Sequence, residues 1–258
     1  MSLAIIGGSG FSKIDQFKSV KQHQIDTPYG STSSPIIEGT LFGVEKVFFL
    51  PRHGDQHTIQ PHLVNYRANI YALKQLAVNN IVALAAVGGI DENCQPGTVI
   101  VPEQILDYTY GREMTFYDQP GQVAHAEFTE PYSAQMRQIV LKAAEQHSID
   151  LIKHGVYAVT QGPRFETAAE IKRYQRDGAT LVGMTAMPEA VLARELGLAY
   201  MTLALSVNYA AGVKPGVIDH VDIHAAYGKA AEKVYAVLTA CLQDLRDSKT
   251  DIPQLIQP

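Results

Sequence analysis

The sequence predicts a single α/β domain over residues 1–258, with a mixed central β-sheet flanked by helices. Three observations predict it. Short apolar runs alternate with amphipathic stretches of helix length along the whole chain. Several of those runs stop abruptly at glycine or polar residues, which suits strands whose ligand lies beyond their carboxyl ends. No Pro/Gly/Ser-rich linker and no internal repeat divides the chain.

The bulk numbers set bounds. At 258 residues, 46% hydrophobic and 18% charged, the chain is ordinary for a globular protein with a sizeable core. Its formal charge of -5 argues against broad binding of nucleic acid or an anionic membrane, while leaving room for a local cationic pocket. The two cysteines, Cys94 and Cys241, match no metal or redox spacing and read as small core residues. Met1-Ser2-Leu3 runs straight into an apolar strand without a basic leader, and no apolar run approaches the ~20 residues of a membrane helix. The expectation is a soluble, cytoplasmic protein.

In chain order, residues 3–6 read as a buried strand ending in Gly7-Gly8-Ser9-Gly10-Phe11. Glycine there lets the backbone approach a ligand, and successive amides can hold an anion; a tight bend is the alternative. The spacing is not a dinucleotide fingerprint. Residues 35–50 are hairpin material broken at Glu38-Gly39-Thr40 and at Gly43, leading into Pro51-Arg52-His53-Gly54. Arg52 offers a fixed fork of donors that matches phosphate, and His53 adds a donor of variable charge.

Residues 64–78 form an apolar-faced helix, followed by a buried strand at 81–87 that ends in Gly88-Gly89, and a short strand at 99–102. Residues 103–130 are polar and turn-rich without periodicity, and read as a flap or subunit contact. A helix at 133–147 uses Met136, Ile139, Val140 and Ala143. After a strand at 155–160, Thr167 caps a helix at 168–177 with Glu170 completing a capping box. A strand ends at 181–185, Pro188 opens a helix at 189–196, and a long helix spans 221–247. The stretch Leu203 to Gly212 is a buried strand that delivers Asn208 to its carboxyl end; a simple turn-initiating Asn is the alternative.

Together, Ile5 to Gly10, Arg52-His53-Gly54 with Asn65 to Asn69, Gly162 to Thr167, and Val182 to Thr185 with Pro188-Glu189 resemble the methylthioadenosine phosphorylase/purine nucleoside phosphorylase family, in its trimeric branch. The resemblance covers about residues 3–245 in the family's order, and the pattern is similar to that of bacterial members that cleave S-methyl-5'-thioinosine. It implies the nucleoside phosphorylase fold, whose sheet is distorted towards a barrel, and a homotrimer of purine salvage. It also implies phosphorolysis of a purine nucleoside with inorganic phosphate as co-substrate and no metal or other cofactor.

The resemblance places phosphate at Ser9, Arg52, His53, Ala85, Ala86 and Thr185. Ala85 departs from the hydroxyl residue common in the family and can offer only backbone. Substrate contacts fall to Met184, Phe165, Glu166, Asn208, Ala210 and His220, with Asn208 and Glu166 as the catalytic pair. Chemistry then bears on the base. A 6-oxopurine presents an acceptor at O6 and a donor at N1, the reverse of adenine. Asn208 can donate to O6 and accept from a protonated N7, and Glu166 can accept from N1–H. Adenine-selective relatives carry aspartates at the positions of Asn208 and Ala210. A mismatched buried polar pair could disfavour adenosine by up to about 10⁴-fold.

The sugar end gives conflicting signs. His220 falls where 5'-hydroxyl enzymes carry a histidine and methylthio enzymes an apolar residue, and His224 lies one turn on. Methylthioinosine, inosine and guanosine therefore all stand as substrates, with methylthioadenosine phosphorylase as an alternative. A nucleoside hydrolase would show no phosphate dependence. A non-catalytic nucleotide-binding module would bind a dinucleotide and release no purine.

Overall fold

The structure is a computed structural model that describes residues 1–8, 14, 16–216, 220–249, 252–253 and 255–256, without the side chains of 220–222 and 224. The chain runs through β1 (Leu3–Gly7), β2 (Phe17–His23), β3 (Ile36–Leu41), β4 (Val44–Pro51), a 3₁₀ turn at Pro61–Leu63, α1 (Tyr66–Gln75), β5 (Asn80–Gly89), β6 (Val99–Ile100), β7 (Gln104–Asp107), α2 (Ala134–Gln146), β8 (Val156–Val159), α3 (Ala168–Arg176), β9 (Leu181–Gly183), α4 (Ala186–Glu195), β10 (Ala199–Tyr209) and α5 (His220–Asp247).

The sheet is mixed, as the sequence predicts. It runs β2-β3-β4-β1-β5-β9-β8-β7, with β10 lying along the other edge of β5. β1, β4, β5 and β10 are mutually parallel through their neighbours. Their apolar runs are long, broken at Glu45-Lys46 in β4 and at Thr202 and Ser206 in β10, because helices cover both faces. α2 and α5 pack on one face, with Met136, Val140, Val234 and Leu238 in one apolar cluster. α1 and α4 cover the other, where Ile70, Leu73, Ala190 and Leu192 belong to a second cluster.

The barrel-like distortion has a specific cause. β6 pairs antiparallel with β10, and its continuation β7 pairs parallel with β8. Bridges from Ile100 to Ile152 and from the Val101 amide to Ile152 O carry the pairing between them. Residues 99–107 thus close a ring of β5, β9, β8, β7/β6 and β10, and this ring removes two edges.

Local signals hold at the helix starts. Asn65 caps α1 by accepting from the Ala68 amide at 3.0 Å, and Ser133 caps α2 by accepting from Met136 at 3.2 Å. Thr167 and Glu170 form the expected capping box on α3.

Four expectations need correction. No break falls at Glu38-Gly39-Thr40, which lie inside β3 and are held by pairing to β2 and β4 on either side. β2 was not signalled, because Phe17–His23 is a mostly exposed, polar edge strand with no apolar alternation. The stretch at 103–130 is not all irregular, since its first residues supply β7. α4 begins at Ala186, before Pro188, although Met187 at φ -115° and ψ 136° interrupts it. The regular part of that helix does begin at the proline, whose ring suits a first turn.

Candidate active site

The carboxyl ends of β1, β4, β5 and β10 converge on one cavity of ≈ 800 Å³. That volume lies within the ~300–1,000 Å³ of small-molecule sites. Arg52, His53, Ala85, Ala86, Phe165, Glu166, Met184, Thr185, Asn208 and Ala210 all line it. Residues scattered over more than 150 positions in sequence are therefore brought together as expected. Ser9 and the side chains of His220 and His224 lie outside the described residues.

One wall is built on Arg52, which follows β4 and is 1% exposed. Its Nε and Nη2 donate to the two carboxylate oxygens of Glu189, each at 2.7 Å. Its Nη1 donates to Leu84 O at 3.0 Å. Tyr200 OH donates to Glu189 Oε1 at 2.8 Å, so the carboxylate is itself held. Burial works against the guanidinium charge, and Glu189 more than offsets it, leaving the Arg52 pKa raised. Gly8 makes this packing feasible: a Cβ there would collide with Leu84 O and come 3.1 Å from Arg52 Nη1.

Next to Arg52, His53 is buried and its Nδ1 lies 2.8 Å from Ile59 O. A carbonyl only accepts, so Nδ1 carries the proton and Nε2 the lone pair. Burial, and after it the Arg52 charge, lowers the imidazole pKa to about 4. His53 is therefore neutral at pH 7, which corrects the expectation of a charge that varies near neutrality.

β1 pairs with β5 only as far as Ala83. Beyond it, the edge of β5 that presents Leu84 O also presents the Ala86 backbone, two residues on. Ala86 thus offers bare backbone at that edge, whereas the backbone of Ala85 faces β10; neither residue brings a hydroxyl. Thr185 stands at the N-cap of α4 but makes no side-chain capping bond.

A second part of the lining carries the polar pair. β10 has a register shift against β5 between Ser206 and Asn208, which inserts Val207 and re-aims the strand end. Asn208 Nδ2 donates to Tyr209 O at 2.7 Å, leaving its second N–H and Oδ1 for other partners. Glu166 sits in the loop after β8 and accepts from Thr160 Oγ1 at 2.6 Å. That loop rests on Met184: Gly162 has φ +63°, and a Cβ there would meet Met184 Sδ at 2.5 Å. Phe165, 53% exposed, stands at the mouth.

Sequence reasoning missed several contributors. Glu189 was visible as a lone carboxylate inside an apolar helix start, a placement that implies a buried cation. The rim at residues 57–61, and Ile223 and Tyr227 of α5, also line the cavity. Their spacing of four was legible as a helix face, although not as a cavity wall. Arg112 gave no signal, because the segment carrying it has no period. Among the described residues no group of three His, Cys, Asp or Glu could hold a metal ion, and no helix is long and apolar enough to cross a membrane.

Residues 2–243 match the family described as the phosphorylase superfamily. A relative named "Probable S-methyl-5'-thioinosine phosphorylase" from Xylella fastidiosa is 49% identical over 217 residues, 84% of this chain and 87% of its own. A 6-oxopurine nucleoside phosphorylase from Pyrococcus furiosus is 40% identical over 246 residues, 93% of this chain and 91% of that one. Among solved structures, methylthioadenosine phosphorylase from Schistosoma mansoni in complex with tubercidin superposes with a TM-score of 0.87 at 34% identity. That match covers 95% of this chain and 91% of the other.

Proposed function

The chain belongs to the phosphorylase superfamily, and we propose that it cleaves 6-oxopurine nucleosides by phosphorolysis, with S-methyl-5'-thioinosine as the foremost substrate. The products are hypoxanthine and 5-methylthioribose 1-phosphate. The observation that carries the reading is the sharing of one cavity by Arg52 and the pair Glu166 and Asn208. An anion cradle and a donor–acceptor set that matches a keto purine share one lining. The names of the relatives from Xylella fastidiosa and Pyrococcus furiosus point the same way.

The chemistry follows from that division. A phosphate oxygen attacks the anomeric carbon as the bond to N9 breaks, and the bond's electron pair passes into the purine. N7 takes a proton from solvent. Asn208 accepts from that N7–H and gives its second N–H to O6, while Glu166 accepts from N1–H; these bonds strengthen as charge grows on the base. Arg52, Thr185, the Ala86 backbone and Ser9 hold the phosphate. Neutral His53 offers Nε2 to a P–OH proton. Met184 and Phe165 bracket the sugar and base, and Ala210 leaves room without adding a polar atom.

Ile223 and Tyr227 line the same cavity from α5 and present mainly apolar surface, which suits a thioether methyl better than a hydroxyl. Inosine and guanosine remain a second reading, supported by His220 and by the relative from Pyrococcus furiosus. Methylthioadenosine is the weaker fit, because its N1 is an acceptor facing a carboxylate. The proposal needs no cofactor beyond the phosphate co-substrate. Homotrimeric, cytoplasmic purine salvage belongs to the same proposal and rests on the family resemblance.

A side-by-side assay of methylthioinosine, inosine, guanosine and methylthioadenosine, with and without phosphate, tests it. The expected result is phosphate-dependent release of hypoxanthine, fastest from methylthioinosine. Preferential release of adenine, or turnover indifferent to phosphate, would overturn it.

A further inference from the structure

A carboxylate that reads a base from a loop must be held by something else, since a loop alone leaves it free to turn. Glu166 is such a group: half-buried, in the segment between β8 and α3. The side chain that holds it is Thr160, which directly follows β8 and is 6% exposed. Its Oγ1 lies 2.6 Å from Glu166 Oε1 and 3.4 Å from Gly183 O. A hydroxyl has one proton, and the nearer, charged acceptor takes it.

Thr160 is fixed at every other polar atom. Its amide donates to Gly183 O at 2.8 Å, which ties it to the end of β9 beside Met184. Its carbonyl accepts from Arg112 Nη2 at 3.1 Å. Arg112 anchors the surroundings as well, with Nη2 to Gln161 O at 2.8 Å, Nε to Gln161 Oε1 at 3.1 Å and Nη1 to Met184 O at 2.9 Å. Nη1 also donates to Met187 O, so the guanidinium spends its fork on the loop that carries Glu166 and on the chain from Met184 into the start of α4.

We infer that Thr160 is a positioning residue for base selection: its hydroxyl, on a backbone clamped by Arg112, orients the Glu166 carboxylate so that the second oxygen is left to accept from the purine N1–H. The inference rests on the proposed 6-oxopurine reading and names the residue that makes it selective. Threonine is suited to the task because its branched side chain has few rotamers to lose.

The test compares Thr160→Val, which keeps the shape and deletes the hydroxyl, with Thr160→Ser and Glu166→Gln. The valine protein should lose about tenfold in kcat/KM for methylthioinosine, the worth of one charge-assisted hydrogen bond. Its kcat/KM for methylthioadenosine and its KM for phosphate should stay within about twofold of wild type. Thr160→Ser should recover most of the loss. Equal losses on both purines, a raised phosphate KM, or failure of serine to rescue would reduce Thr160 to packing and overturn the inference. Should the valine protein not fold, Thr160→Ala carries the same comparison. Glu166→Gln separates the two levels. If it leaves purine preference unchanged, the parent reading fails; if it abolishes preference while Thr160→Val does not, only the role of Thr160 fails.

Discussion

The two walls of the cavity are built on opposite plans. Arg52 and Glu189 have side chains 1% and 0% exposed and are paired across 137 residues, with Tyr200 behind them. Glu166 and Asn208 are half-buried, and each is held by a near neighbour in sequence: Thr160 six residues away and Tyr209 next door. The contrast reflects a cost. A charge placed in the core must bring its counter-charge from wherever the fold supplies one, and neither can then change alone. Polar groups on a half-open wall are satisfied locally and can be exchanged one at a time. The anion side is therefore the fixed part of this design, and the base side the adjustable part.

The hardest blow to the fixed wall is Glu189→Ala. It leaves the Arg52 charge buried without a partner and takes the acceptor from Tyr200. Breaking a buried pair in this way costs about 3–5 kcal/mol, measurable as a lowered urea midpoint. A loss below about 1 kcal/mol would show that the pair is not the keystone, and the contrast between the walls would fall.

Asn208→Asp strikes the adjustable wall and should behave differently. Unfolding free energy should move by no more than about 0.5 kcal/mol, the usual range for a change away from the core. The ratio of kcat/KM for methylthioinosine over methylthioadenosine should fall by about a thousandfold, because a carboxylate cannot donate to O6. Unchanged selectivity would detach Asn208 from the base. A large stability loss with the ratio preserved would make its bond to Tyr209 O the residue's real work.

How far the sequence reached follows the same divide. Asn208 was legible as the end of an apolar strand, but a turn-starting amide fitted that stretch equally well, and only the family resemblance favoured the cavity. Arg52 and His53 were legible because a cation and an imidazole directly after a buried strand serve no solvated loop. The hairpin at Gly43, the capping box at Thr167 and the span of α5 were written in local chemistry. The partners were not: nothing local says that Glu189 answers Arg52, or that Arg112 reaches the loops after β8 and β9. β7 and β2 escaped for a related reason, since a four-residue strand and a polar edge strand carry too little alternation and are defined by the neighbour they pair with.

His53 gives the finest test, because it belongs to the fixed wall yet responds to pH. Its pKa is about 4 in the fold, against an ordinary 6.5, owing to burial first and then to Arg52, with His57 adding to the effect and the bond to Ile59 O opposing it. Between pH 6.5 and 4 the unfolded chain binds a proton there that the folded protein does not. Stability from this group is therefore complete above pH 6.5 and drains away as pH falls towards 4, by up to ~3 kcal/mol. His53→Gln has no such proton to take up. Urea unfolding at pH 7 and pH 4.5 should show the wild type losing ~2–3 kcal/mol more than the variant. Phosphate sharpens the measurement: an anion bound beside His53 favours the imidazolium, raises its pKa and narrows that excess. An excess that phosphate leaves untouched would mean the anion binds away from His53, and the cradle would then have to be drawn around Arg52 and the end of β5 alone.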